Sequence, residues 1–208
     1  MKIFFWSLLS LSILFMGCSE QKRKSSLGNS ADLVLKVPDT LIEKSALEYN
    51  HKTSIWTLSG IPYSGFAVSY YPDNTLKEKF GILNGKKQDN FIQWYPDGHF
   101  KNVAAYDKGK LHGEKKIWSQ DSAHVLIAHY KYHTGKPHGE QIKWYPTGEL
   151  FKKMNLNRGK EEGLQQAFRK NGALYANYEA WEGRTFGLKK AKLCYSLEDE
   201  NIQYKKRL

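Results

Sequence analysis

Through the middle of the chain, apolar and polar residues alternate in short runs separated by turn signals. Phe100, Ala104 and Tyr106 share one parity, as do Leu150, Met154 and Leu156, and Leu174, Ala176 and Tyr178. A period of two marks an extended strand, because successive side chains point to opposite faces of a sheet. A second set of runs precedes these. There Ile92 and Trp94, and Ile142 and Trp144, fall on one face, with Gln141 and Lys143 on the other. Between the paired runs stand Pro72-Asp73-Asn74, Pro96-Asp97-Gly98 and Pro146-Thr147-Gly148. Pro presets one backbone angle and Gly or Asn tolerates positive φ, so each triplet is a turn with a mechanism. Strand, turn and strand make a β-hairpin.

The hairpins recur in phase. Gly60, Gly85, Gly109, Gly135, Gly159 and Gly183 open successive units, at spacings of 25, 24, 26, 24 and 24 residues. Gly65, Asp89, Gly113, Gly139, Gly163 and Gly187 hold the next marked position. Five residues further stands an aromatic: Tyr70, Trp94, Trp118, Trp144 and Phe168. Four residues beyond that comes the turn residue, Asn74, Gly98, Ser122, Gly148 or Gly172. Five units are complete and a sixth is truncated. The predicted fold is all-β: an elongated antiparallel β-meander of stacked hairpins, each about 24 residues, with roughly ten strands spanning about 45–50 Å. The third unit carries two extra residues around Asp121-Ser122-Ala123, which predicts a longer loop or a bulge. Repeat arrays need their ends covered. Thr53–Leu58, within a lead of residues 32–59, reads as an N-terminal cap strand, and residues 39–49 as a short helix or an irregular stretch. The repeats occupy residues 60–188. Residues 189–208 read as a closing strand, Lys192–Leu197, and a tail.

The first residues have a different character. Lys2 is followed by an uncharged, mostly apolar run from Ile3 to Gly17. This has the shape of a secretory signal peptide and is short for a membrane-spanning helix. Phe15-Met16-Gly17-Cys18 resembles a bacterial lipobox, in which the Cys is acylated and becomes the mature N-terminus. The resemblance implies a signal peptide over residues 1–17, a lipid anchor at Cys18 and attachment to the cell envelope. Ser19, in place of an Asp, implies the outer membrane. Residues 18–31 read as a flexible tether.

Within the repeats, Gly109-Lys110-Leu111-His112-Gly113 and Gly135-Lys136-Pro137-His138-Gly139, each followed by an aromatic and a turn, resemble the bacterial variant of the MORN repeat. Members of that family are often labelled YwqK-like antitoxins of toxin–antitoxin systems. The resemblance covers about residues 53–188, and it implies a non-catalytic repeat scaffold. This sequence departs from the pattern at Asp89, at the third unit's turn, and in the fifth unit, which lacks the second aromatic and the Pro.

Charge and chemistry adjust this picture. The 208 residues carry 32 Lys and Arg against 21 Asp and Glu, a formal net charge of +11. Such a balance suits acidic partners. However, Lys110, Lys115-Lys116, Lys136, Lys143 and Lys152-Lys153 alternate with Glu114, Glu140 and Glu149 along the repeats. That mixture reads as a solvated face with protected sheet edges. For an exported protein, nucleic acid is excluded as a partner and an anionic membrane surface is retained.

No phosphate-binding loop, zinc-protease motif or nucleophile elbow is present. His112 and His138 recur in phase, but equivalent positions two strands apart lie about 9–10 Å from each other. They therefore read as turn supports and not metal ligands. His124, His129 and His133 share one strand-and-loop stretch, where a structural role outweighs a metal one. Asp73 and Asp97 read as turn aspartates that bond their own backbone. Cys194 reads as a buried, inert thiol. No catalytic residue, metal or cofactor is assigned. The feature with binding potential is the series Tyr70, Trp94, Trp118, Trp144 and Phe168, a candidate face for a protein partner. An antitoxin-like inhibitor and a glycan binder are the alternative readings. The oligomeric state is left open.

Overall fold

The computed structural model describes residues 36–121 and 123–188, together with two short strands, 196–198 and 201–203. The signal segment, Cys18, the tether and Cys194 lie outside the described residues. The main body is a twelve-stranded sheet. Its strands are β1 (Leu41–Glu43), β5 (Gly65–Tyr70), β6 (Leu76–Leu83), β7 (Lys86–Trp94), β8 (Phe100–Asp107), β9 (Lys110–Trp118), β10 (Leu126–His133), β11 (Lys136–Trp144), β12 (Leu150–Asn157), β13 (Lys160–Phe168), β14 (Leu174–Trp181) and β15 (Arg184–Leu188). From β5 to β15 every strand pairs antiparallel with its sequence neighbours. The sheet runs from β1 to β15 and is not closed into a barrel. The elongated antiparallel meander predicted from the period is therefore the fold.

The connections between hairpins follow from two-residue turns. Residue pairs such as Asn84-Gly85 (φ 48° and 76°) and Thr134-Gly135 (φ 48° and 84°) both sit in the left-handed region. Two positive φ values define a type I′ turn, whose twist matches that of the flanking strands. The glycine at the head of each unit is thus the second turn residue. These turns also stack. The Gly109 amide donates to the Lys87 carbonyl (2.7 Å), Gly135 to Leu111 (2.8 Å) and Gly159 to Pro137 (2.7 Å).

The second marked position is where the strands bulge. Register shifts fall between Phe80 and Gly81, Ala104 and Tyr106, Tyr130 and Tyr132, and Met154 and Leu156. Opposite them, Asp89, Gly113, Gly139 and Gly163 take positive φ. Asp89 departs from the repeat in residue type but keeps its conformation, because Asp tolerates the left-handed region better than most residues.

In the lead, the cap strand has strand partners of its own. Glu48–Asn50 (β2), Ile55–Leu58 (β3) and Ile61–Pro62 (β4) form their own three-stranded sheet. Thr53–Leu58 therefore supplies a strand that pairs with β2 and β4, while β1 pairs with the first hairpin, parallel to β5. Lys44–Ala46 is one turn of 3₁₀ helix. The Gly60 turn joins β3 to β4, so the first unit begins in this small sheet. Packed together are Leu47, Ala67, Phe80, Ile82 and Phe91, with Trp56 and Leu58 of the small sheet against them. The core thus sits at the N-terminal end of the array. Farther along, the same face buries chiefly small or hydrogen-bonded residues: Ala104, Ala128, Gln141, Gln165 and Ala176. An alanine is small enough for its longer neighbours to cover, which lets one layer bury residues without a second.

In the C-terminal segment Ser196–Glu198 (β16) pairs with Asn201–Gln203 (β17) as a separate two-stranded sheet. Most of the expected closing strand lies outside the described residues.

Candidate functional site

The aromatic series occupies the face opposite the buried one. The buried run Ala67–Phe80–Phe91–Ala104 is cross-strand paired. Ile92 and Trp94 lie in the alternate register, on the other face. Trp94, Trp118, Trp144 and Phe168 are half-buried and Tyr70 is exposed. A one-residue bulge sits beside each aromatic. Gln93 pairs with Asn102 but Trp94 pairs with Phe100, skipping Lys101. The skip turns Phe100 away from the face of Ala104 and Tyr106, with which its parity grouped it. Its ring instead lies 6.1 Å from that of Trp94 and 5.7 Å from that of Trp118. Among the described residues this Trp94–Phe100–Trp118 run is the continuous part of the aromatic face. The Lys116 ammonium bonds Glu114 on β9, and Lys153 of β12 bonds Glu140 of β11, both at 2.7 Å.

The second aromatic of each pair has a structural role that sequence reasoning did not assign. The Tyr71 hydroxyl donates to the Trp94 carbonyl, Tyr95 to Trp118 and Tyr145 to Phe168, each at 2.9 Å across 23 residues. Each of these tyrosines ties one unit to the next. Their recurrence directly after the ladder aromatic was the available signal. Ser119 stands at that position in the third unit. It donates to Asp121 (2.9 Å) and accepts from the Val125 amide (2.9 Å). Gln141 and Gln165 were also overlooked. Each donates to a carbonyl across its bulge, at 2.8 Å to Lys131 and 2.7 Å to Asn155.

A second group of aromatics joins the N-terminal sheet to the main one. Tyr49, Trp56, Phe80, Phe91 and Tyr106 form a chain with centroid separations of 4.6, 5.4, 5.7 and 6.2 Å. The Lys87 ammonium lies 4.9, 4.3 and 5.2 Å from the rings of Phe80, Phe91 and Tyr106. Burial pushes its pKa down, with the Glu78 carboxylate opposing that effect. Lys87 thus departs from the solvated-face reading of the lysines. It lines a cavity of about 310 Å³ with Tyr49, Ser54, Trp56, Tyr106 and Gly109. Burial also acts to raise the Glu78 pKa. Hydrogen bonds and charge from Lys44 (2.5 Å), with bonds from Gln93 and Ser69, outweigh it and hold the carboxyl below its ordinary value.

Six of the seven histidines separate into three environments. The His112 Nδ1 accepts from the Thr134 amide (3.4 Å), so this His does support the next turn, as Gln88 does for Lys108 (2.9 Å). His133, on the intervening strand, places its ring 4.9 Å from His112 and 5.9 Å from His138. Distance alone had kept the in-phase pair apart, and a third ring bridges them. His129 faces Glu114 at 3.3 Å. His124 stacks on His99, with centroids 3.5 Å apart and planes 10° apart. Asp73 and Asp97 accept from the amides of Thr75 and His99, both at 3.0 Å, as turn aspartates.

The fold and its repeat geometry define a class, the open all-β hairpin-repeat proteins. Compared with known proteins, the chain matches no protein-family model and no curated sequence.

Proposed function

We propose that this chain is a non-catalytic MORN-type repeat scaffold, held to the cell envelope by a lipid on Cys18, that binds a protein partner on the aromatic face of its sheet. The observation that carries this reading is the half-exposed Trp94–Phe100–Trp118 run on the face away from the N-terminal sheet. Half-buried tryptophans are held rigid by neighbours yet still present apolar area, which makes them effective binding anchors. The formal charge of +11 favours a partner that brings carboxylates along with apolar side chains.

Pull-down from envelope extracts tests the proposal. The wild-type chain retains a saturable partner, and a Trp118→Ala, Trp144→Ala double variant loses it. Identical capture by both proteins refutes the aromatic face as the binding surface. For the anchor, fractionation with mass spectrometry should find acylated Cys18 in membranes, and the Cys18→Ala protein should lack it.

A further inference from the structure

We propose that Asp97, His99 and His124 form a single binding site for a borderline divalent transition metal, Zn²⁺ above all, which clamps the third unit's long loop onto the second unit's turn. The three residues come from two different connections. Asp97 and His99 lie in the β7–β8 turn, and His124 lies in the β9–β10 loop, within the segment that makes the third unit two residues longer. One donor atom from each falls within 4.8 Å of the others. The His99 Nδ1 is 3.3 Å from the Asp97 Oδ1, and the His124 Nε2 is 3.6 Å from its Oδ2. Zinc bonds of about 2.0–2.2 Å at tetrahedral angles place neighbouring donor atoms about 3.3–3.5 Å apart. The two imidazole nitrogens therefore already flank the carboxylate at close to ligand-to-ligand spacing, each beside its own oxygen, and because the ring planes lie only 10° apart the rings must splay for both nitrogens to reach one metal.

The surroundings fit the chemistry. The backbone amide of His99 holds the Asp97 carboxylate in place at 3.0 Å, the kind of outer bond that orients a ligating carboxylate. Of the two His124 nitrogens, Nδ1 is buried and Nε2 is the one that faces the Asp97 carboxylate. His124 takes the positive-φ position of its turn (φ 46°), which Asn74, Gly98, Gly148 and Gly172 hold in the other units. Two imidazoles and one carboxylate select zinc, copper or nickel over magnesium and calcium, which take oxygen ligands. Three protein donors leave a fourth position for water. The site is single by construction. Thr75, Glu149 and Ala173 stand where His99 does in the other turns, and only the third unit carries the added loop residues.

Zinc titration of the untagged full chain by calorimetry, with thermal unfolding in parallel, tests the site. Wild type should bind one equivalent and unfold at higher temperature with zinc. His99→Ala and His124→Ala should each weaken binding at least tenfold and lose the thermal shift. His99 is more than half exposed, so its replacement should leave the metal-free far-UV spectrum and Tm unchanged, which keeps the result readable if His124→Ala unfolds. No binding by wild type overturns the proposal. So does binding that survives His99→Ala but falls with His112→Ala, which would move the site to the His112–His133–His138 column. An equal thermal shift from Mg²⁺ overturns it as well.

Discussion

Replacing Tyr71, Tyr95 and Tyr145 together by Phe removes three hydroxyls and leaves every ring in place. Each hydroxyl donates to the carbonyl of the ladder aromatic one unit ahead, at 2.9 Å and partly buried. A hydrogen bond of this kind contributes about 0.5–1.5 kcal/mol net, so the triple variant should lose about 3 kcal/mol. For a chain of this size one kcal/mol corresponds to roughly 2–4 °C, which puts the expected fall in Tm at about 6–12 °C. The bonds lie between units, and in a repeat array interface terms set cooperativity. The transition should therefore broaden as well as shift. Far-UV circular dichroism with thermal and urea unfolding reads both effects. Tyr70→Phe is the control, because the Tyr70 ring is exposed and its hydroxyl makes no bond among the described residues; it should move Tm by less than 2 °C. A triple variant that also stays within 2 °C of wild type would show that the tyrosine column does not couple the units.

Thr134 is a β-branched residue at φ 48° in a type I′ turn. Thr134→Asn should stabilise by about 1 kcal/mol, seen as a rise of 2–4 °C in Tm. At Gly85 an added Cβ would lie 2.5 Å from the Ile55 Cγ2 and 2.9 Å from the Trp56 carbonyl, whereas at Gly159 it would meet nothing within 4 Å. Gly85→Ala should red-shift tryptophan emission by loosening the N-terminal sheet, while Gly159→Ala carries only the backbone strain, about 1 kcal/mol; equal unfolding midpoints for the two variants would contradict this. The Glu78 carboxyl sits below its ordinary value of 4.5. Its contribution is therefore present above that value and lost as pH falls through the lower folded one. Urea midpoints should decline below about pH 4.5 for wild type and more shallowly for Glu78→Gln.

The period was legible because turn chemistry and alternation repeat together. A glycine heads every unit, a proline opens three of the five turns, and Trp94, Trp118 and Trp144 hold one register. Burial was harder to read. The largest and most repetitive side chains suggest a ladder that stabilises the sheet, yet the most deeply buried positions of the later units are Gln141, Gln165, Ala167 and Ala180. Alternation gives the parity of a residue but not which face the N-terminal sheet covers. Bulges then change parity locally, which is how Phe100 came to lie between two tryptophans. Nothing in the residue types announces a skipped Lys101, since its cause is the geometry of the adjoining turn. The meeting of His99 with His124 has a similar origin. It depends on where a loop of irregular length folds back, and regular spacing carries no information about that.

That loop is also where the chain departs most from its own rule. The third unit lacks the turn proline and has Ser119 in place of the linking tyrosine. In exchange Ser119 and Asp121 hold the longer loop closed, and His124 is delivered to the neighbouring turn. The fifth unit also lacks that tyrosine and proline, but the third alone adds two loop residues, and a local rule broken in one copy of a repeat points to a requirement other than stability. Transplanting the Tyr145–Glu149 turn in place of Ser119–Val125 tests that trade. It restores the tyrosine and shortens the loop by two residues, so the new hydroxyl should reach the Trp144 carbonyl and add about 1 kcal/mol. Without zinc the graft should unfold at a higher temperature than wild type by about 2–4 °C. With zinc it should show no thermal shift, because His124 is gone. A graft less stable than the parent would mean that the long loop itself stabilises the array, and that the irregular unit gives up nothing to hold its histidine.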